Sequence, residues 1–555
     1  MASLIPTLDD IEQRKAQLWP ELDERQLHRL ARFGVEQALP AGTLLFDEGD
    51  FGVPFFVVLE GEVEVVHPRG AIEEPIIVHT PGQFTGEVTL LSAGRALVRA
   101  RAKTDVRVLR TEPAQLQTVI QTDSELSEIF MRAFILRRVG LILGHQGDAV
   151  VIGSRHSAAT LRLQGFLTRN GHPYRYVDVD VDADVQSMLD QFHVAVEDIP
   201  VLICRGDKVL KNPTNVEVAD CLGFNTAMDT AVVHDLIIVG AGPAGLAAAV
   251  YAASEGLDAL VVEAMAPGGQ AGSSSKIENY LGFPTGISGQ ALAHRALNQA
   301  EKFGARFAVA RTAVGLNCDG VPYVLEIEGG QQLRARAVVI ASGAEYRKLE
   351  LPSREKFEGV GIYYGATFIE AQRCDSEEVI VVGGGNSAGQ AAMYLSQTAR
   401  HVHVLIRGES LAASMSRYLI RRIEESANVT LRTRTRLVAL EGNDALESVT
   451  WLDERSGNRE TRPIRHVFTM AGANPNTAWL KGCLELDDNG FVLTGTELPK
   501  SKGGPGAPRA PFQFETSLRN VFAVGDVRSG SVKRVAAGVG EGSACVQLIH
   551  KALAG

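Results

Sequence analysis

DLIIVGAGPAGLAAAVYAASEGLDALVVE, residues 235–263, is the stretch that decides the fold of the larger part of the chain. An apolar run stops at Gly240, and the turn Gly240-x-Gly242-x-x-Gly245 leads into an Ala-rich helical pattern with Pro243 and Ala244 in its first turn. A second apolar run then ends on Glu263. Glycines at these three places permit a tight turn, close approach of backbone to a pyrophosphate, and close packing of helix on strand. An acid at the end of the second strand is placed to accept hydrogen bonds from ribose hydroxyls. Strand, turn, helix and terminal acid in register predict a Rossmann-type dinucleotide site.

The pattern returns in EVIVVGGGNSAGQAAMYLSQTARHVHVLIRG, residues 378–408. Gly383-x-Gly385-x-x-Ala388, with Asn386 and Ser387 inside it, again lies between strand and helix. This second strand runs out at Ile406-Arg407 with no acid. A carboxylate there would repel a 2′-phosphate and an arginine favours it, which points to NADPH over NADH. Two such units, one for each dinucleotide, describe a flavoprotein fed by a nicotinamide. Near the C-terminus, NVFAVGDV places Gly525-Asp526 after an apolar run, where an aspartate suits a flavin's ribityl hydroxyls. Strands and helices alternate from about 230 to 555, as in doubly wound sheets. The Gly/Pro-rich run at 499–511 is expected to be a surface insertion.

Composition excludes several other classes. The chain has 555 residues, 55 basic against 66 acidic, a net charge of -11, and is 45% hydrophobic and 22% charged. It is therefore globular, not disordered, too long for one core, and too acidic for a general nucleic-acid binder. The six cysteines, at 204, 221, 318, 374, 483 and 545, form no C-x-x-C or other close pair. A disulfide-stapled secreted module or a structural zinc site needs denser or clustered ligands, so no metal is expected. The opening residues carry no basic start followed by an apolar run, and the apolar stretch Ala133–Gly144 is short and contains Arg137 and Arg138. No secretory signal or membrane span is expected, but a soluble cytoplasmic protein with reduced thiols.

Two modules precede the dinucleotide units. Residues 1–146 open with a polar helical pattern. Short alternating runs follow at Thr43–Phe46, Pro54–Leu59, Glu62–His67, Ile76–His79 and Val98–Leu109, and a helix is expected from about Pro113 to Leu143. Such runs, punctuated by Gly and Pro, predict a small β-barrel or jelly roll. Residues 147–226 read as a strand (VVIGS), a helix from Ala158 to Asn170, a strand (YRYVDVDVD), a helix at Ala183–Phe192, and two strands (IPVLICR and KVL).

From about 230 to 555 these residues resemble the low-molecular-weight thioredoxin reductases. Pro267-Gly268-Gly269-Gln270 looks like that family's flavin-wrapping loop. The run Ile277 to Pro284, with Asn279, looks like its E-N-x-x-G-F-P segment. Ala341-Ser342-Gly343-Ala344 and Gly472-Ala473-Asn474-Pro475-Asn476 match its two crossings between domains, and Lys533-Arg534-Val535 its contact with the flavin pyrimidine. The resemblance implies bound FAD, a mobile NAD(P)H domain and a homodimer. It assigns an FAD-binding domain to residues 230–345 and 468–555 and an NAD(P)-binding domain to 346–467. The family's C-A-T-C dithiol falls on Gly365-Ala366-Thr367-Phe368, so both cysteines are gone. Neither Gly nor Phe can form a thiolate or cycle as a disulfide. Of the arginines the family sets around a 2′-phosphate only Arg407 is in place, with Arg417 and Arg421 nearby on one helix face, which leaves NADPH and NADH both open.

The middle module resembles thioredoxin-like and glutaredoxin-like domains, with Ile199-Pro200 at their cis-proline position and Ser154-Arg155-His156-Ser157 where their C-x-x-C stands. Residues 1–146 resemble a cyclic nucleotide-binding domain. There Gly86-Glu87 would meet the ribose 2′-hydroxyl and Arg95 the cyclic phosphate, although Ala96-Leu97-Val98 lacks the usual hydroxyl. The expected architecture is multidomain α/β: a two-Rossmann-type FAD/NAD(P) reductase behind a thioredoxin-like domain and a β-jelly-roll cyclic nucleotide-binding domain. The expected activity is hydride transfer from NAD(P)H to FAD and on to an external acceptor or redox protein partner, gated by a cyclic nucleotide. The alternatives are a regulatory flavoprotein with little turnover, or a thioredoxin reductase using a partner's thiols.

Overall fold

The computed structural model describes residues 15–50, 52–69, 72–86, 96, 98–143, 149–155, 157–181, 198–204, 208–225, 228, 230–274, 276–366, 371, 374–443, 445–499 and 509–554. In the first dinucleotide unit, Val233–Val239 pairs in parallel with Ala259–Glu263 on one side and Gln332–Ile340 on the other. Arg306–Val309 extends the first edge, and antiparallel Tyr323–Ile327 and Ala313–Asn317 extend the second. A late strand, Val521–Ala523, returns to pair in parallel with Gln332–Ile340. Leu236, Ile237 and Ile238 are all fully buried. Leu236 and Ile238 face helices, while Ile237 and Val239 face a second apolar cluster with Leu480, Leu484 and Val492, so this strand is apolar without alternation.

The second unit is a parallel sheet in the order Ile362–Tyr363, His466–Thr469, Glu378–Val382, His401–Leu405, Val429–Arg432. A three-stranded antiparallel meander, Thr435–Glu441, Ser448–Asp453 and Arg459–Arg462, packs beside it. The chain leaves the first unit through Ala344–Tyr346 and comes back through Ala473–Pro475. These two crossing segments pair antiparallel with each other. The last helix, Val535–Leu553, lies on the helix Pro243–Ser254. A methyl added at Gly542 would stand 2.1 Å from the Ala244 carbonyl oxygen, so this contact requires glycine.

The N-terminal jelly roll holds two four-stranded antiparallel sheets. Two expectations are corrected there. The run Val98–Leu109 is not one strand: Arg99–Ala102 lies in one sheet and Val106–Thr111 in the other, each with its apolar positions inward. The single helix expected from Pro113 to Leu143 is two, Pro113–Thr122 and Ser124–Leu143. Asp123 is extended between them because its carboxylate accepts from the Leu126 amide and pairs with Arg29. Arg137, inside the apolar second helix, is buried. It donates to the carbonyls of Leu18 (2.9 Å) and Phe84 (3.2 Å) and lies over the Trp19 ring.

The middle module has the strand order Tyr174–Asp178, Ala149–Gly153, Val201–Cys204, Lys208–Lys211, the first pair parallel and the rest antiparallel. Ile199-Pro200 is cis. The helix expected at Ala183–Phe192 and the insertion at 500–508 lie outside the described residues. Leu163 and Phe166 of this module share one apolar cluster with Leu236 and Ala300 of the first dinucleotide unit.

The cysteines also need correction. Cys204 and Cys221 form a disulfide, as do Cys318 and Cys483, with Cα atoms 6.6 and 5.9 Å apart; Cys374 and Cys545 are buried and in no disulfide. Spacing along the chain did not reveal the pairs. A strand end meets a helix in the first, and in the second the partners are 165 residues apart. Among the described residues no helix is long and apolar enough to cross a membrane.

Gly542→Val would force the last helix off the first, at a cost of roughly 1–3 kcal/mol from overpacking. The expected outcome is a lower thermal midpoint with intact secondary structure below it, read by circular dichroism.

Candidate functional site

The first Gly-rich turn is built by exclusion of side chains. Gly240 has φ +103, and a methyl on it would lie 2.4 Å from the Ala341 carbonyl oxygen. One on Gly245 would lie 1.9 Å from the Gly240 carbonyl oxygen. Gly242 differs: nothing lies within 4 Å of where its methyl would be. That open space faces the first turn of the helix that begins at Pro243, where free amides and the helix dipole favour an anion. The residues therefore fit a dinucleotide pyrophosphate.

Glu263 stands at the strand end beside this turn. Its carboxylate accepts from the amides of Ala241 (2.7 Å), Met265 (2.9 Å) and Ala266 (3.2 Å). Burial pushes its proton affinity above the usual carboxyl range, opposed by those amides and by the charge of Arg169. The loop Pro267–Gln270 folds over the turn. The Gly268 amide donates to the Ala241 carbonyl (2.7 Å), and a methyl on Gly269 would touch the Gly242 Cα at 3.0 Å. Gln270 donates to the Ala344 carbonyl at the crossing. Asn279 is exposed, in a loop closed by the bridge between Ile277 and Ile287.

Gly525-Asp526 reaches the same place because the last helix packs on the first. Glu541 of that helix accepts from the Gly525 amide and from Arg528, both at 2.7 Å. Burial raises the Asp526 carboxyl, and Lys533 opposes the shift. The Lys533 ammonium donates to the Asp526 carbonyl and to Ser531. Arg534 precedes the helix and Val535 starts it.

The second turn is a variant of the first. Gly383 has φ +145, and its methyl would meet the Met470 carbonyl oxygen at 2.6 Å. The third glycine is replaced by Ala388, whose methyl is fully buried. Gly385 is open, as Gly242 is. Asn386 accepts from the Ser416 amide (2.7 Å), and Ser387 shares a hydrogen bond with Tyr346 of the crossing. Arg407, Arg417 and Arg421 are exposed near this turn, a set that suits a phosphate. The crossings are tied by Ser342 and Asn476, which exchange two hydrogen bonds of 2.9 Å, and by the Asn476 amide, which donates to the Gly343 carbonyl. Ala341 lies under the first turn.

At the dithiol positions, Gly365 faces the loop after Gln270: a methyl on it would be 3.8 Å from the Ser273 hydroxyl. Phe368 lies outside the described residues, as do Glu87, Arg95 and His156. Gly86 has φ +97 and sits under the Pro54 carbonyl. Ser154 and Arg155 bond to Asp180 and Asp178, both at 2.7 Å, and Ser157 caps the following helix.

Four residues escaped the sequence reading: Glu541, Tyr346, Arg169 and Arg422. Glu541 left one signal, a lone acid in the otherwise Gly/Ala-rich helix. Arg422 pairs with Glu278 across the two units at 2.7 Å, and nothing local in the sequence joins them.

A family model described as pyridine nucleotide-disulphide oxidoreductase matches residues 234–542, and one described as cyclic nucleotide-binding domain matches residues 36–123. Thioredoxin reductase of Bacillus subtilis is 31% identical over 323 residues, covering 57% of this chain and 94% of that protein. That of Mycolicibacterium smegmatis is 32% identical over 317 residues, covering 56% and 94%. The crystal structure of Lactococcus lactis thioredoxin reductase in its FR conformation superposes with TM-score 0.52 at 25% identity, over 58% of this chain and 99% of that one.

Gly242→Ala and Gly245→Ala should separate site from scaffold. The first should leave the flavin-free protein's melting temperature unchanged and lower the flavin-to-protein ratio at least tenfold. The second should lower both, since its methyl collides with backbone.

Proposed function

The chain belongs to the pyridine nucleotide-disulphide oxidoreductase family and is an FAD-dependent NAD(P)H oxidoreductase; we propose that its electrons leave for an external acceptor without passing through a dithiol of the reductase. The observation that carries this is Gly365, seated at the flavin loop beside Ser273 where the family's thiol would stand. A glycine there can neither attack a disulfide nor form a charge-transfer thiolate.

Bound FAD supplies two-electron acceptance from a nicotinamide and onward transfer from the reduced ring. The chain's own residues do the rest. Residues 230–345 and 468–555 hold FAD through the Gly240 turn, Glu263 and Asp526, and residues 346–467 hold the nicotinamide dinucleotide through the Gly383 turn. Exposed Arg407, Arg417 and Arg421 favour a 2′-phosphate, hence NADPH. The paired crossings at Ala344–Tyr346 and Ala473–Pro475 serve as the hinge between the two domains.

The middle module, residues 147–226, is read as thioredoxin-like, a reading its strand order supports. With Ser154 and Ser157 in place of cysteines it works as a docking domain. The N-terminal module, residues 1–146, is a cyclic nucleotide sensor that gates turnover. The protein works as a cytoplasmic homodimer.

Anaerobic NADPH should bleach the flavin absorbance. Steady-state oxidation should then proceed with oxygen, a quinone or ferredoxin, and reduction of a thioredoxin disulfide should run at least a hundredfold slower. Thioredoxin reduction as fast as with the other acceptors would sink the proposal.

Calorimetry with cyclic AMP and cyclic GMP should give heat that Arg95→Ala abolishes. No heat with either nucleotide would reduce the N-terminal module to a protein contact.

A further inference from the structure

The C-terminal end of the middle module's helix, Ala158–Arg169, rests on the loop that follows Glu263. The Arg169 guanidinium donates to the Gly269 carbonyl (3.1 Å) and reaches the Met265 sulfur (3.2 Å). Asn170 donates to the Met265 carbonyl at 3.3 Å. The reductase grips this helix end in return. Gln290 donates to the Thr168 carbonyl (2.6 Å), and the His294 ring lies 3.2 Å from the Arg169 carbonyl oxygen. Gly171 turns away with φ +62, and a methyl on it would come within 2.8 Å of the His294 ring. The guanidinium is thus a held group.

Its surroundings are those of the adenosine half of the flavin cofactor. If the Gly240 turn holds FAD, as proposed above, Glu263 takes the ribose hydroxyls, and the purine, one bond beyond the ribose, must lie beside the residues just after Glu263. Met265 there is 41% exposed, an unusual waste of apolar surface on a loop fixed from both sides. A thioether and a guanidinium presented together suit a flat, electron-rich ring, through sulfur–aromatic and cation–π contact. The charge of Arg169 also opposes the upward shift that burial imposes on the Glu263 carboxyl.

We propose that Arg169, contributed by the middle module, binds the adenosine end of FAD together with Met265. The cofactor site is then shared between module and reductase. FAD binding and docking of the module strengthen each other, as linkage requires.

The test uses the full chain, stripped of flavin and titrated by fluorescence with FAD and with FMN, which lacks the adenosine. Arg169→Ala should weaken FAD about tenfold, the size of a desolvated cation–π contact, and leave FMN unchanged. Arg169→Lys should recover part of the loss. Gln290→Ala, which removes a docking bond but no group offered to the adenosine, should shift FAD less than threefold. Unchanged FAD affinity in Arg169→Ala overturns the proposal. So does equal weakening of FAD and FMN, or equal loss in Gln290→Ala, since each would mean a merely structural role. A wild-type chain that takes up no FAD overturns the reading on which this rests, and is distinguished because it fails before any variant is made.

Discussion

The reductase half depends on one close approach: the last helix lies against the first with only hydrogen between Gly542 and the Ala244 carbonyl. Ala244 is in the first turn of the helix that opens the dinucleotide site, and the same face touches Gly525, where an added methyl would come within 2.8 Å of the Ala244 Cβ. A segment nearly three hundred residues downstream is thereby brought to the helix start. Asp526 and Val535 can share a ligand with Gly242 only while the two helices keep this spacing. Glu541 reinforces it from inside the contact, accepting from Gly525 and Arg528 at once. The parallel pairing of Val521–Ala523 with Gln332–Ile340 completes the anchoring from the sheet side.

The second constraint is the pair of crossings. The chain passes between the two dinucleotide units through Ala344–Tyr346 and Ala473–Pro475, which pair with each other and are further held by Gln270 at Ala344 and Ser387 at Tyr346. Among the described residues, the side-chain contact of Arg422 with Glu278 between the two units is partly exposed, so it holds the present orientation only weakly. The middle module behaves in the opposite way. Its apolar residues merge with the core of the first unit, and its helix end is gripped by Gln290 and His294. Motion is therefore expected in the second dinucleotide unit, with the middle module and the first unit as one body.

What could be read in the sequence follows from range. The two Gly-rich turns were legible because strand, turn, helix and terminal residue lie within some thirty positions; Gly240, Gly245 and Gly383 answer steric demands of nearby backbone, while Gly242 and Gly385 border open space. The exposure of Arg407 likewise follows from a local pattern. The division of Val98–Leu109 was hidden because the apolar positions keep the same parity on either side of the polar bend Lys103-Thr104-Asp105, which moves the chain from one sheet to the other. The break at Asp123 was hidden because an aspartate is tolerated in helices, and its partner Arg29 is far away in sequence. Cys318 and Cys483 meet for the same reason that Arg169 meets Met265: tertiary packing juxtaposes residues that no period or motif relates. The part of the candidate site that comes from outside the family's own segment was the part sequence patterns could not supply.

The disulfides sharpen the question of where electrons leave. Cys204 and Cys221 are buried within the middle module, at 0% and 5% exposure, so an external disulfide cannot reach them without opening that core. Cys318 and Cys483 are half-exposed, but one partner follows the outermost strand of the first sheet, Ala313–Asn317, and the other lies beyond the return crossing. Neither pair belongs to the segment around Gly365 that faces the loop after Gln270. Thiol exchange needs a thiolate in direct contact with both its donor and its acceptor. Under the proposed function, glycine at 365 and a buried Cys374 leave electrons to pass to the acceptor from the ring itself. The proposed route suits a small or planar oxidant, or a protein that offers its own cofactor, better than a protein disulfide.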